Sequence, residues 1–448
     1  MAKTAIISVD GHVKGSRSEY RDYLPTKYLE VYDEQVKAAE EAGMPDAGNL
    51  HPDFAPDVQW DSDLRTSRLE SVGVVAEVLF PNGQPFQTNR LDDFANPANL
   101  ELGEIGRQAY NRWLVDFCAK SPERRRGQMV MSFADIDLAV EDVYWAKENG
   151  LGGIALPGLT RDGRFFFDSD LDPIWSACQE TGLAISQHGG GIDPNGPRGS
   201  GDIRATAPGF GAFMMLSTEN AFFSNRSLWM LIVGGVFDRF PDLRAAWVET
   251  QVHLIIPTIS YLDRVCDSDW MGQFSIKPTI KRKPSEYFGT NIFVGLSPFS
   301  PRQDPTGDVL GKDADGVTKP GFHIGSVPLM YGVDFPHFES CFQRNMGEVA
   351  TLVTTPIITD DEAHHILFDT AADLYSFDVD ALQPDIERVG FEVSDVQSRP
   401  DDFTQDLPEF NIDHITRGIG GFGRRPAAAT KQLARYPDGS SERGFGTA

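Results

Sequence analysis

The sequence has few cysteines and no long hydrophobic run. Its four cysteines, at positions 118, 178, 266 and 341, are far apart and form no CxxC pair. This spacing argues against a disulfide framework and against a thiolate zinc site. No window approaches the roughly 18 consecutive apolar residues of a membrane span, and the N-terminus shows no charged leader before an apolar stretch. We therefore expect a cytoplasmic protein with reduced thiols and no membrane contact.

Positive charge is also scarce. The 448 residues include 66 acidic and 40 basic side chains, which gives a net charge of −26. Such a chain repels phosphate backbones and anionic membrane surfaces, so we do not expect a nucleic-acid partner. With 40% hydrophobic and 24% charged residues, the composition is that of a globular protein large enough for one big core or two ordinary domains.

Short apolar runs alternate with amphipathic stretches along the chain. Helix-like segments such as "DLAVEDVYWAKENG" and "LDPIWSACQETG" end in the glycine that often follows a helix. Strands that alternate with helices predict a parallel sheet, and eight such units predict an α/β fold, the (β/α)8 TIM barrel. The predicted strands cover residues 5–10, 74–80, 128–132, 153–156, 183–188, 244–249, 291–295 and 328–334.

The chain is longer than the roughly 250 residues of a typical TIM barrel, and the excess can be located. We assign residues 1–380 to the barrel domain, with insertions at about 14–60 and 189–225. Residues 381–448 are rich in proline, glycine and charge runs, which predicts a C-terminal extension, either an arm or partly disordered. An arm of this length favours a homodimer or a higher homo-oligomer.

Several predicted strands end in residues that bind metals. Asp10 and His12 end the first strand, His188 the fifth and Asp334 the eighth. The C-terminal ends of barrel strands share one mouth, and residues two apart on a strand point to the same face. His188 as a turn residue and Asp334 as a helix cap are the plain alternatives. Together, two imidazoles and two carboxylates predict a site for a divalent ion such as zinc or manganese.

A series of matched segments resembles a known family. They are "ISVDGHV", "EVLFPN", "AYNRWLVDFCAKSPERRRG", "GGIALPG", "ISQHGGG", "RFPDLRAAWVET", "YGVDFPH" and "ILFDTAADLYSFD", spanning roughly residues 5 to 378. In order and spacing the chain resembles the amidohydrolase-related family, the branch of the amidohydrolase superfamily that includes aminocarboxymuconate semialdehyde decarboxylase. The resemblance implies a TIM barrel with one catalytic divalent ion, zinc first, with manganese or iron as alternatives. Asp10, His12, His188 and Asp334 would hold it.

Two departures from the family pattern concern the sixth and fourth strands. The family's decarboxylases usually end the sixth strand with a histidine, whereas this chain has Glu249, so a proton shuttle there would be Glu249 or His253. The fourth strand, "GGIALPG", lacks the lysine or glutamate that bridges two metals in binuclear relatives. This favours one ion, unless Glu77, Glu249 and His253 recruit a second.

The expected activity is hydrolysis of a small organic substrate by a metal-activated water, with Asp334 or Glu249 as the base. Non-oxidative decarboxylation of an aromatic or unsaturated acid is the first alternative, a dinuclear Fe or Fe/Mn oxygenase the second, and a catalytically silent barrel that serves as a partner subunit the third. His337 either approaches the substrate or lies on the rim of the site. Arg65 and Arg68 either clamp an anionic substrate or pair with acidic neighbours on the surface.

Overall fold

The computed structural model describes residues 3–86, 97–157, 164–189, 222–268, 279–297, 307–313, 315–337, 339–340, 342–355 and 357–397. Within these ranges no helix is both long and apolar enough to cross a membrane. Most of the second predicted insertion and residues 398–448 lie outside the described residues. The predicted arm and the predicted homodimer therefore stay predictions.

Eight parallel strands form one sheet in sequence order, and the predicted (β/α)8 barrel is confirmed. The last strand meets the first through a parallel bridge between Gly11 and Phe335. The strands are β1 (Ile6–Val13), β2 (Val74–Pro81), β3 (Arg125–Val130), β4 (Gly153–Leu156), β5 (Ala184–His188), β6 (Ala245–Val248), β7 (Ile292–Leu296) and β8 (Leu329–Tyr331).

Strand boundaries differ from the prediction by three residues at β1, β3 and β8, and β8 ends at Tyr331, not at the predicted Asp334. The predicted end at Asp10 is wrong, because β1 shifts register between Ser8 and Gly11 and then continues pairing with β2 as far as Val13. β3 begins at Arg125, three residues before its predicted start, because charged residues there pair with β2. β4 has the predicted bounds.

Helices follow most strands. They are α1 (Arg17–Tyr20), α2 (Leu29–Glu41), α3 (Ser62–Glu70), α4 (Pro97–Cys118), α5 (Ile136–Glu148), α6 (Asp172–Thr181), α7 (Arg226–Val233), α8 (Val236–Arg239), α9 (Val252–Asp267), α10 (Gly307–Leu310), α11 (Asn345–Thr354), α12 (Asp360–His364), α13 (Thr370–Leu374), α14 (Val379–Val389) and α15 (Val393–Gln397). Asp61 caps α3 and Asp135 caps α5, each accepting backbone N–H groups of the first turn. Gly182, with φ at 69°, follows α6 as predicted.

The hydrophobic core has two main clusters. The larger lies between strands and helices and includes Trp113, Trp175 and Trp247. The second joins strand residues such as Ile7 to Leu382 of α14. The predicted domain boundary at residue 380 falls inside α14, and Phe391, just beyond it, bridges to Thr4 beside β1. Residues up to Gln397 thus pack with the barrel.

Candidate metal centre

Two chain segments meet where the barrel closes, and both carry predicted ligands. The backbone N–H of Asp334 donates to the carbonyl of Asp10 at 2.9 Å, and the N–H of His12 donates to the carbonyl of Phe335 at 2.8 Å. Gly11 lies between the two predicted ligands of β1. A Cβ there would lie 3.0 Å from Glu77 Oε2 and 3.1 Å from an Arg65 nitrogen, so the close packing behind the site favours glycine.

The four predicted ligands lie around His12. Its Nε2 is 3.1 Å from Oδ1 of Asp10 and 3.3 Å from Oδ1 of Asp334. The same Asp10 oxygen lies 3.0 Å from Nε2 of His188. His188 Nδ1 donates to the carbonyl of Gly189 at 2.7 Å, an arrangement that leaves Nε2 as the ligand atom. The structure therefore brings Asp10, His12, His188 and Asp334 together at the predicted mouth.

Burial and the charges of neighbouring groups shift the pKa values of residues in this cluster. Burial works against ionisation of Asp10, but His188 and His12 hold the pKa of its carboxyl well below the usual range. Burial likewise disfavours a charged His188, but the negative charge of Asp10 and its hydrogen bond outweigh it and raise the pKa of His188 to about 10. A cation at this position would take over the role of those imidazole protons.

Several polar atoms of the cluster are buried without a hydrogen-bond partner among the described residues. They are Oδ2 of Asp10, Nδ1 and Nε2 of His12, both carboxylate oxygens of Asp334 and Nδ1 of His337. Buried polar atoms normally have hydrogen-bond partners. Several nitrogen and oxygen lone pairs that point to one place, with no donor between them, are what a metal ion requires. Two imidazole nitrogens and two carboxylate oxygens suit zinc, manganese or iron. The residues present therefore fit a divalent ion.

Asp334 also faces a second set of candidate ligands. His337 Nδ1 lies 2.9 Å from Asp334 Oδ1, and the His337 ring stacks on His12 with centroids 3.7 Å apart. Oxygens of Glu249, Asp334 and Glu339 all lie within 4.8 Å of one another. Glu249 follows β6 in a left-handed conformation, with φ at 56°, and its Oε2 is 3.5 Å from His188 Nε2.

The pKa values of the acidic residues in this second set are shifted as well. Burial raises the pKa of Glu249 well above its usual range; His188 opposes this shift, and Asp334 and Asp10 add to it. Burial and the charge of Asp334 raise the pKa of Glu339.

Four other predicted site residues lie elsewhere. Glu77 points away from the mouth and pairs with Arg65, with 2.7 Å between Oε2 and Nη2. Arg65 is completely buried, so it faces Glu77 and not a substrate. Arg68 is exposed in the last turn of α3, and His253 is exposed in the first turn of α9.

Sequence reasoning missed two residues of the site. Glu339 lies five residues after Asp334 in the quoted segment "YGVDFPHFES", so its acidic character was visible, but nothing periodic marks a loop residue as facing the mouth. Asn82, just after β2, accepts a hydrogen bond from His337 Nε2 at 3.1 Å. Its signal is its place directly after the C-terminal end of a barrel strand.

The family comparison agrees with this geometry. Residues 84–253 match the family model described as amidohydrolase. The resemblance to the amidohydrolase-related family is confirmed. The match supports an enzyme of the amidohydrolase type. No curated protein matches the sequence.

Solved structures share the fold at low sequence identity. An amidohydrolase from Mycobacterium avium subsp. paratuberculosis is 16% identical with a TM-score of 0.57, covering 83% of this chain and 99% of that one. A dihydroxybenzoic acid decarboxylase from Polaromonas, solved with manganese and the inhibitor 2-nitroresorcinol, is 17% identical with a TM-score of 0.54, covering 83% and 97%. The 5-carboxyvanillate decarboxylase from Sphingomonas paucimobilis is 16% identical with a TM-score of 0.54, covering 83% and 99%.

Proposed function

We propose that the chain is a metal-dependent hydrolase of a small organic molecule, with one catalytic divalent ion held by Asp10, His12, His188 and Asp334. The observation that carries this proposal is the convergence on Asp10 Oδ1, which lies 3.1 Å from His12 Nε2 and 3.0 Å from His188 Nε2. Unpartnered Asp10, His12 and Asp334 atoms surround that point. The match to the amidohydrolase family supports the same reading.

A divalent ion supplies this chemistry by lowering the pKa of bound water and by polarising a carbonyl group. The chain itself has to orient the substrate and move protons. Glu249 is suited to the proton transfer, because its side chain is 19% exposed and lies 3.5 Å from His188 Nε2. Asp334 is completely buried, so as a base it would serve only groups bound within the cluster.

The surroundings of the imidazoles are partly apolar. The Phe80 ring lies 4.7 Å from the His188 ring and 6.2 Å from the His12 ring, measured between centroids. Phe80 thus forms an apolar wall beside the ligands, and a wall of this kind excludes water and strengthens the electrostatic interactions inside the site.

Non-oxidative decarboxylation is the second candidate. It is favoured by the structural likeness to decarboxylases of dihydroxybenzoic acid and 5-carboxyvanillate, one of them with bound manganese. Here the same residues would hold the ion that attracts a substrate carboxylate, and Glu249 would deliver a proton to the ring carbon that loses carbon dioxide.

An activity panel tests these candidates. Protein loaded with Zn²⁺ or Mn²⁺ is incubated with aryl esters, anilides and lactones, and separately with hydroxybenzoic acids. Hydrolysis that Asp10→Asn abolishes supports the proposal. Release of carbon dioxide from the acids, lost in the same variant, replaces it with the decarboxylase. Oxygen uptake with either set, by protein loaded with Fe²⁺ and supplied with a reductant, replaces it with an oxygenase.

A further inference from the structure

Asp334 has two carboxylate oxygens and two sets of neighbours. The residue is 0% exposed, and neither oxygen has a hydrogen-bond partner among the described residues. One set of neighbours is the proposed ion site around His12. The other is formed by Glu249 and Glu339, whose oxygens lie within 4.8 Å of each other and of an Asp334 oxygen. Two ligand atoms of one ion are at most about 4 Å apart, because each lies near 2.1 Å from the ion. Small side-chain movements would therefore let all three carboxylates bind one cation.

The charge of the cluster supports a second cation. Asp10, Asp334, Glu249 and Glu339 are four carboxylates, and every ion pair they make among the described residues is to a histidine. Two cationic side chains close to His12 are already paired. Arg65, which donates to the carbonyl of His12, binds Glu77, and Lys14, two residues after His12, binds Asp46. A single divalent ion held by Asp10 and Asp334 leaves the carboxyl groups of Glu249 and Glu339 without a bound cation. Uncompensated charge in a buried site is costly.

A relay of side-chain amides fixes the orientation of His337. The Gln59 Nε2 group donates to the carbonyl of Ala47 at 2.7 Å, which leaves Oε1 of Gln59 to accept from Asn82 Nδ2 at 2.6 Å. The Asn82 Oδ1 atom is thereby directed at His337 Nε2, 3.1 Å away, so that nitrogen carries the proton.

The other nitrogen of His337 faces the carboxylates. It is Nδ1, and it lies 2.9 Å from Asp334 Oδ1 and 4.0 Å from Glu339 Oε1. This buried nitrogen has no hydrogen-bond partner among the described residues, which leaves it available as a ligand. Metal-binding histidines are commonly held by such a hydrogen bond on the opposite nitrogen.

We propose that Glu249, Asp334, Glu339 and Nδ1 of His337 hold a second divalent cation, with the Asp334 carboxylate shared between the two ions. Three carboxylates and one imidazole favour a hard or borderline ion, with Mn²⁺ the suitable probe. The inference rests on the proposed function, because Asp334 belongs to both sites.

Manganese stoichiometry tests this inference. Protein freed of metal by chelation is titrated with Mn²⁺, and the bound ion is counted by elemental analysis after gel filtration. We expect two ions per chain in the wild type and one in Glu339→Gln. The control Asp53→Asn removes an exposed carboxylate next to His51, outside the cluster, and should bind two. Exchange between two ions that share a carboxylate should also weaken the electron paramagnetic resonance signal per Mn²⁺ in the wild type relative to Glu339→Gln.

The outcomes separate the two proposals. One ion in the wild type, lost in Asp10→Asn and kept in Glu339→Gln, overturns the second site and leaves the proposed function intact. No ion in the wild type overturns both. Two ions that persist in Glu339→Gln and in Glu249→Gln overturn the ligand assignment. Thermal unfolding of each variant shows whether it is folded, and Glu249→Gln replaces Glu339→Gln if the latter is not.

Discussion

The guanidinium of Arg65 and the carboxylate of Glu77 form a buried ion pair, with Nη2 2.7 Å from Oε2 and exposures of 0% and 3%. Arg65 also donates to the carbonyl of His12 at 3.0 Å and to that of Phe335 at 3.3 Å. The first carbonyl belongs to the proposed ligand His12, and the second belongs to the residue after the proposed ligand Asp334. The pair therefore joins α3 and β2 to the two chain segments that close the barrel, and it supports the site from behind.

Removing the acidic partner should destabilise the protein. Glu77→Gln leaves Arg65 buried without its counter-charge, and we expect the free energy of unfolding in urea to fall by roughly 3–5 kcal/mol. The control Arg68→Ala changes an exposed arginine on the same helix and should stay within about 0.5 kcal/mol of the wild type. Similar losses in both variants would contradict a supporting role for the buried pair.

A side chain at Gly11 should destabilise the protein. In Gly11→Ala the new Cβ would lie 3.0 Å from Glu77 Oε2 and 3.1 Å from Arg65 Nη2. Crowding of this kind typically costs about 1–3 kcal/mol, and we expect a matching drop in unfolding free energy. Gly103→Ala, in α4, places its Cβ in open space and should be neutral or slightly stabilising. Equal stability of the two variants would show that the packing behind β1 is loose.

The extent of the folded C-terminal region can be tested through Glu70. Glu70, in α3, accepts hydrogen bonds from Arg388 of α14 at 2.6 Å and from Arg124 just before β3 at 2.5 Å. The hydrogen bond from Arg388 has the largest effect. Together these bonds outweigh partial burial, which acts in the opposite direction, and lower the pKa of Glu70 to about 2. A depressed pKa means that the contribution to stability is complete above pH 4.5 and is lost as the pH falls towards 2.

The corresponding variant is Glu70→Gln. At pH 7 its free energy of unfolding should be lower than that of the wild type by roughly 1–2 kcal/mol, allowing for solvent screening. The difference should shrink as the pH falls from 4.5 towards 2, as measured by denaturant unfolding at each pH. A difference that does not change with pH would rule out this ion-pair network.

Metal removal should lower thermal stability. Without a cation the buried carboxylates repel one another, and a ligand that binds the folded state stabilises it by about 2.7 kcal/mol at a concentration 100 times its Kd. We expect the Tm to fall after chelation and to recover when Zn²⁺ or Mn²⁺ is added back. A Tm that responds to neither treatment would mean that no ion binds the folded state.

Much of the site was predictable, because the barrel rule alone places Asp10, His188 and Asp334 at a common mouth once their strands are found. Glu77 was not placed correctly by this rule. In β2 the side chains alternate, and Phe80 faces His188 inside the barrel, so Glu77 points outward to Arg65. Apart from Glu77, the run "VVAEVLF" is apolar on both faces, and its pattern therefore does not reveal which face is inside.

The remaining differences arise in loops. His253 is four residues after Glu249, but α9 begins only at Val252, so helical spacing does not bring the two side chains together. Glu339 and Asn82 reach the site through turns after β8 and β2, whose course depends on tertiary contacts such as the His337–Asn82 hydrogen bond. Periodicity carries no information about such turns.

Metal content is the most direct test of the central claim that Asp10, His12, His188 and Asp334 surround a divalent ion. Elemental analysis is performed on the wild type, Asp10→Asn, His188→Ala and the control His253→Ala, all purified without added metal. We predict bound divalent metal in the wild type and in His253→Ala, and at least one equivalent less per chain in the other two. Equal metal content in all four folded proteins would contradict the assignment.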